Sequence, residues 1–211
     1  MELQLLKIAR DYPSFFITLQ NAINAAYKKA EKQLPSHSKN DILCMQRYGY
    51  YLLTNVPFEI RRAIQNAGFS NIEVKVVGNS RKSDYHIEIH TPYGIFMVAQ
   101  GKGKKLLPKH AKYRQRYIDQ TFMQEACPEY APYTTDCIPL YVIIHAHKPT
   151  VCEPYWIGIG RLMVEQLAWS CLYPIHELHK GQVVEEKFKK KAPVAKEEID
   201  AKKNRVRFKK A

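Results

Sequence analysis

The chain has 211 residues, with 33 Lys+Arg against 20 Asp+Glu, and so carries a formal charge of +13. Such an excess concentrates polyanions around the molecule and steers them in, which makes nucleic acid the expected partner. No apolar run approaches the length of a bilayer span and no apolar N-terminal core resembles a signal peptide. The five cysteines form no CxxC pair, so a structural zinc site is not expected, and reduced thiols in the cytoplasm or in association with a nucleoid or nucleus are.

Helical signals fill the first third. Met1 to Arg10 is short and amphipathic. Ser14 follows Pro13 as an N-cap for a helix over 14–33, which Leu34-Pro35-Ser36 ends. Asp41 opens a second helix running to about Leu53. Pro57 suits the first turn of a third, ending near Gly68. Strand signals follow. Residues 71–77 (NIEVKVV) and 84–90 (DYHIEIH) alternate, and Thr91-Pro92-Tyr93-Gly94 is a hairpin turn into a third strand over 95–100. A helix is expected over 109–126, a buried strand over 138–145, a short strand over 156–159 and a last helix over 161–172. The expected fold class is α+β. A helical region over 1–56 precedes an α/β core over 57–180, which ends in a C-terminal helix, and a basic tail follows over 181–211. That tail holds 11 Lys+Arg and 5 Asp+Glu, net +6, which leaves +7 for the other residues. Few large apolar residues interrupt it, as in a flexible phosphate-binding arm.

The stretch from Gly78 to Lys105 carries the most chemistry. Residues two apart on a strand share a face, so Asp84, His86, Glu88 and His90 line one side and Tyr85, Ile87 and Ile89 the other. Gln100 and Lys102 share a face of the next strand, and a hairpin of suitable register would bring Asp84 near Gln100. A carboxylate and an amide oxygen can hold Mg²⁺ or Mn²⁺, and a lysine beside them can orient water or neutralise charge on a phosphate. Around this centre runs a one-signed series of cations: Arg81, Lys82, Lys104, Lys105, Lys109, Lys112, Arg114 and Arg116. Fourteen tyrosines add rings that can stack on bases. His145-Ala146-His147 lacks a neighbouring acid or cysteine and reads as a strand-end pair. His176 and His179 lack the HExxH pattern of a zinc protease.

At Asp84 and Gln100-Gly101-Lys102 the sequence resembles the PD-(D/E)xK nuclease superfamily, over roughly residues 57 to 145. The resemblance implies a restriction-endonuclease-like core of helix, three-stranded meander, helix and further strand. It implies that Asp84 and Gln100 are metal ligands and that Lys102 assists the attacking water. It also implies an accessory Glu from the helix before the sheet, for which Glu59 is the nearest match and Glu31 a weaker one. Gln115 and Gln120 match a polar position on the helix after the lysine. Ser83 stands where the motif has Pro, and Gln100 where it has an acid. The QxK form resembles that of Mrr-like restriction nucleases. The expected activity is therefore divalent-metal-dependent endonucleolytic hydrolysis, with DNA as substrate and a homodimer admitted. Two other expectations stand beside it: a non-catalytic nucleic-acid-binding protein on the same scaffold, and a small viral or mobile-element protein-interaction factor.

Overall fold

The computed structural model describes residues 2–33, 41–78, 85–101, 107–109, 111–115, 117–118, 139–147, 153–163 and 168–178, all within one compact unit, Met1–Gly181. Three helices come first: α1 (Glu2–Asp11), α2 (Phe15–Gln33) and α3 (Ile42–Ala67). On α2 the residues Phe15, Phe16, Leu19, Ala22, Ile23, Ala26, Tyr27 and Ala30 are buried, the stripe of a helix with one apolar face. On α3 the buried row is Tyr48, Leu52, Val56, Ile60 and Ile64, one residue every four.

The two helices expected over 41–53 and 57–68 are one. Pro57 lies inside α3. A proline removes one backbone donor from a helix, but the buried row continues on both sides of it, and packing holds the helix through the break. Asp41 caps the start, accepting from the Leu43 amide at 2.8 Å. Gly68 closes the end in the left-handed region (φ 61°), where a Cβ would be strained.

Six strands form one sheet in chain order: β1 (Glu73–Gly78), β2 (Tyr85–Thr91), β3 (Gly94–Gly101), β4 (Leu140–His147), β5 (Pro154–Leu162) and β6 (Trp169–Pro174). Every pair is antiparallel except β3 with β4, which run parallel. Parallel neighbours need a crossover, and residues 112–115 and 117–118, between them in sequence, are helical. The fold is thus α+β, helices followed by a mostly antiparallel sheet.

Of the last helix expected over 161–172, the described ends are corrected to strand, while residues 164–167 lie outside the described residues. β5 runs on to Leu162, and Trp169–Pro174 pairs with it, Gly160 opposite Leu172 and Gly158 opposite Pro174. The short β5 expected over 156–159 would have been an open edge, and a sixth strand covers its unpaired backbone groups. The chain is helical again over Ile175–Leu178. The tail over 181–211 lies outside the described residues. No helix among the described residues is long and apolar enough to cross a membrane.

Both faces of the sheet are covered. One core joins Ile87, Ile89, Phe96, Tyr141, Ile143, Ile157 and Ile159 to the buried rows of α1, α2 and α3. The second joins Ile95, Met97, Ala99, Leu140, Val142 and Leu162 to Ile118, with Tyr113 and Tyr117 packed against it. Gly94 marks a tight place on the helical side. A Cβ there would lie 2.6 Å from the Tyr141 ring, so no larger residue fits without displacing an aromatic side chain.

Candidate functional site

The turn between β2 and β3 has two residues, and its register is Thr91↔Gly94, His90↔Ile95, Ile89↔Phe96 and Glu88↔Met97. Paired residues share a face, so even-numbered residues of β2 go with odd-numbered residues of β3. Phe96, Val98 and Gln100 therefore face the helices together with Ile87 and Ile89. His86, Glu88 and His90 face the other way, with Ile95, Met97 and Ala99. The face expected to carry the acid of the site and the face carrying Gln100 are opposite sides of the described sheet. Asp84 and Lys102 themselves lie outside the described residues, as do Arg81, Lys82, Lys104, Lys105, Arg116 and Gln120.

Gln100, the last residue but one of β3, lies beside His145 of β4, its Cα partner in the parallel ladder. Its Nε2 comes within 3.9 Å of where a Cβ on Gly49 would sit, so the amide lies under the first half of α3. His145 is 1 % exposed, and its Nδ1 is 3.0 Å from Tyr27 Oη. The Tyr27 ring meets His145 edge-on and Tyr48 edge-on, with centroids 5.8 and 6.4 Å away. Burial, and then the neighbouring Tyr48, push the Tyr27 phenol well above its ordinary pKa, so it stays neutral. A half-buried amide, a buried imidazole and two phenols thus gather at the C-terminal ends of the two parallel strands, where open sheets of parallel strands commonly bind ligands.

Glu59 does not join them. It is 3 % exposed and accepts from Lys29 Nζ at 2.5 Å, and Arg62 lies 2.5 Å from its other oxygen. From Gly49 to Glu59 is about 15 Å along the helix at 1.5 Å per residue. Its carboxylate is an internal ion cluster tying α2 to α3. Among the expected metal ligands that leaves Gln100 in the described structure. One neutral amide oxygen does not make a Mg²⁺ site, which takes several oxygen donors in an octahedron. Among the described residues no group of three or more His, Cys, Asp or Glu side chains is arranged to hold a metal ion.

The opposite face carries a different polar cluster. Glu88, 4 % exposed, holds His86 Nε2 at 3.1 Å on one oxygen and His90 Nε2 at 3.0 Å on the other. Tyr117 Oη donates to both oxygens at 3.1 and 3.0 Å. The His86 ring stacks flat on Tyr113, 3.9 Å between centroids. Burial pushes the Glu88 pKa up, but the hydrogen bonds from His86, His90 and Tyr117 outweigh it and the net shift is downward. The carboxylate is therefore ionised and satisfied from three sides, as a buried charge must be.

The basic residues of this region separate. Lys109 and Lys112 are exposed. Arg114 is corrected from a phosphate contact to an inward-facing side chain. It is 3 % exposed, donates to Tyr113 Oη at 3.1 Å and to the Lys109 carbonyl, and its guanidinium sits 5.3 Å from the centroid of the Tyr113 ring. Burial lowers its pKa from the usual arginine value. Cys44 is a free thiol. Tyr27 and His145 were not legible as neighbours of Gln100, because a crossover of about forty residues separates β3 from β4 and no local pattern reports that pairing. No family model, no curated protein and no solved structure matches this chain.

Proposed function

We propose that this protein binds nucleic acid and hydrolyses its phosphodiester bonds as a divergent nuclease of the PD-(D/E)xK type, with DNA as substrate. The observation that carries the reading is the element order. A helix, a three-stranded antiparallel meander, helical residues and a strand parallel to the third strand follow one another. Gln100 stands at the C-terminal end of that third strand, followed in sequence by Gly101 and Lys102. The resemblance at Asp84 and Gln100-Gly101-Lys102 expects this order. The net charge of +13 supplies the attraction for a polyanion.

In this reading Asp84, which precedes β2 and lies outside the described residues, would have to turn out of the strand alternation toward the side of Gln100. The two would then hold Mg²⁺ or Mn²⁺, which would neutralise charge on the phosphate, with Lys102 orienting water and facing the developing negative charge. Lys109, Lys112 and the cations outside the described residues hold the backbone. A second reading, binding without cleavage, is favoured by the neutral Gln100 and by the engagement of Glu59 in an ion cluster about 15 Å along α3 from Gly49.

The test is cleavage of single- and double-stranded DNA and RNA with Mg²⁺ or Mn²⁺ by wild type, Asp84→Ala and Lys102→Ala. The nuclease reading expects metal-dependent cleavage lost in both variants. Cleavage retained in both removes this site. Salt-sensitive binding with no cleavage by wild type establishes the second reading.

A further inference from the structure

The outer face of α3 carries large apolar side chains that the fold leaves in solvent. Leu43 is 72 % exposed, Tyr50 71 %, Leu53 53 % and Phe58 58 %. Four such residues on one helix are unusual, because large apolar groups on a surface element normally turn inward. Three of them, Leu43, Tyr50 and Phe58, are aligned, with Leu53 to one side. Residues 43, 47, 50, 54, 58 and 61 recur every three or four positions, which makes one stripe opposite the buried row of Tyr48, Leu52, Val56, Ile60 and Ile64. The intervening charges are Arg47 and Arg61, both exposed. The one acid between Leu43 and Arg61 is Glu59, which is turned inward and ion-paired with Lys29 and Arg62. Apart from Thr54 the stripe is therefore aromatic, aliphatic and cationic, with no exposed carboxylate among residues 43–61.

We infer that this face of α3 binds single-stranded nucleic acid, with Tyr50 and Phe58 stacking on bases and Arg47 and Arg61 contacting phosphates. This rests on the nucleic-acid reading above and adds the form of the strand and the surface that takes it. Complementary charge selects the occupant. A second copy of the chain would set Arg47 and Arg61 against themselves and one +13 molecule against another. A duplex offers phosphates to the arginines, but the faces of its bases are covered by their stacked neighbours. Only an unpaired strand offers both phosphates and open base faces. The two rings lie about 12 Å apart along the helix axis, so they serve different bases of one strand.

The experiment uses the full chain and fluorescence anisotropy at fixed salt with three probes: a dT 20-mer, a U 20-mer and a 20-base-pair DNA duplex. The variants are Tyr50→Phe, Tyr50→Leu, Phe58→Leu and Arg47→Ala/Arg61→Ala, each checked for an unchanged melting temperature. Leucine keeps apolar area and removes the π-face. Tyr50→Leu and Phe58→Leu are each expected to weaken single-strand binding about tenfold, the loss of roughly one base–aromatic stack, and Tyr50→Phe to bind as wild type. The arginine pair is expected to lower the salt dependence by about 0.7 log units per lost phosphate contact. Duplex affinity should not move with either leucine variant. The dT and U arms tell DNA from RNA. Leucine variants that bind single strands as tightly as wild type overturn the inference and leave the stripe to an acidic protein partner, while duplex binding or cleavage by wild type leaves the nuclease reading intact. Wild type that binds none of the three probes overturns the inference together with the nucleic-acid reading.

Discussion

The two faces of the sheet bury polar groups by different means. Under α1, α2 and α3 the described layer is mostly apolar; His145 beside Gln100 sits at one end of the parallel strands, and Glu59 is ion-paired between α2 and α3. On the face of residues 111–115 and 117–118 a carboxylate stands among the described residues, bonded to two imidazoles and a phenol. Burial alone does not mark a functional group. Glu88 is as buried as Glu59, and both are fully engaged inside the fold. Among the described residues the helical face is held mainly by apolar contact, while the other face sets a hydrogen-bond network beside its apolar residues.

The largest expected effect tests that division directly. Phe96 is fully buried on the helical face, edge-on to Phe15 and Phe16 and stacked on Tyr141 at 5.1 Å. Phe96→Ala removes the ring on which the helices meet the sheet and should cost about 4 kcal/mol. Its neighbour Met97 is just as buried but points to the other face, and Met97→Ala should cost about 3 kcal/mol. Urea unfolding of the two variants makes the measurement. Equal losses, or a larger one at Met97, would show that the two layers contribute alike.

Next in size is the network. Glu88→Gln replaces an ionised acceptor with an amide that meets at least one donor with its own NH₂ group, at an expected cost of about 2 kcal/mol. The pH dependence follows from the sign of the shift. The folded-state pKa of Glu88 lies below its unfolded value, so its contribution is present above the unfolded carboxylate value, roughly 4.3, and is lost as pH falls through the lower folded value. The Gln variant lacks this component, so the stability gap between it and wild type should narrow on acidification. Thermal melts from pH 6 to pH 3 measure it. A gap that stays constant or widens would mean that the carboxylate gains nothing from His86, His90 and Tyr117.

These contrasts also explain what the sequence could tell. The alternation in DYHIEIH and the apolar run IFMVAQ reported strands, and the turn at Pro92-Tyr93 reported their hairpin. The same two-residue turn fixes parity. With Thr91 opposite Gly94, the 86/88/90 face cannot be the face of Gln100, so this was legible in the residues although their spacing alone left the register open. Pro57 read as a helix start because proline favours a first turn, yet burial on both sides carried α3 through it. RLMVEQLAWSCL reads as a helix by its apolar spacing, but the open edge of β5 recruits its second half as β6, and nonlocal pairing of that kind overrides local preference. The stripe of Leu43, Tyr50 and Phe58 could not be told from a buried face before the opposite row was seen to be the one that packs.

The smallest expected effect bears on the end of the helical face where Gln100 lies. Tyr27→Phe removes the hydroxyl that stands 3.0 Å from His145 Nδ1 and keeps the ring that meets both His145 and Tyr48 edge-on. Because apolar packing is preserved, the loss isolates one buried hydrogen bond and should be about 1 kcal/mol, or roughly 2 to 4 °C in melting temperature for a chain of this size. Tyr27→Ala would instead open a cavity beneath α3 and should cost several times more. The ratio of the two losses separates contact from hydrogen bonding at this point. A ratio near one would mean that the helical face, like the face of Glu88, depends on its polar pairs, and the distinction between the two layers would fall.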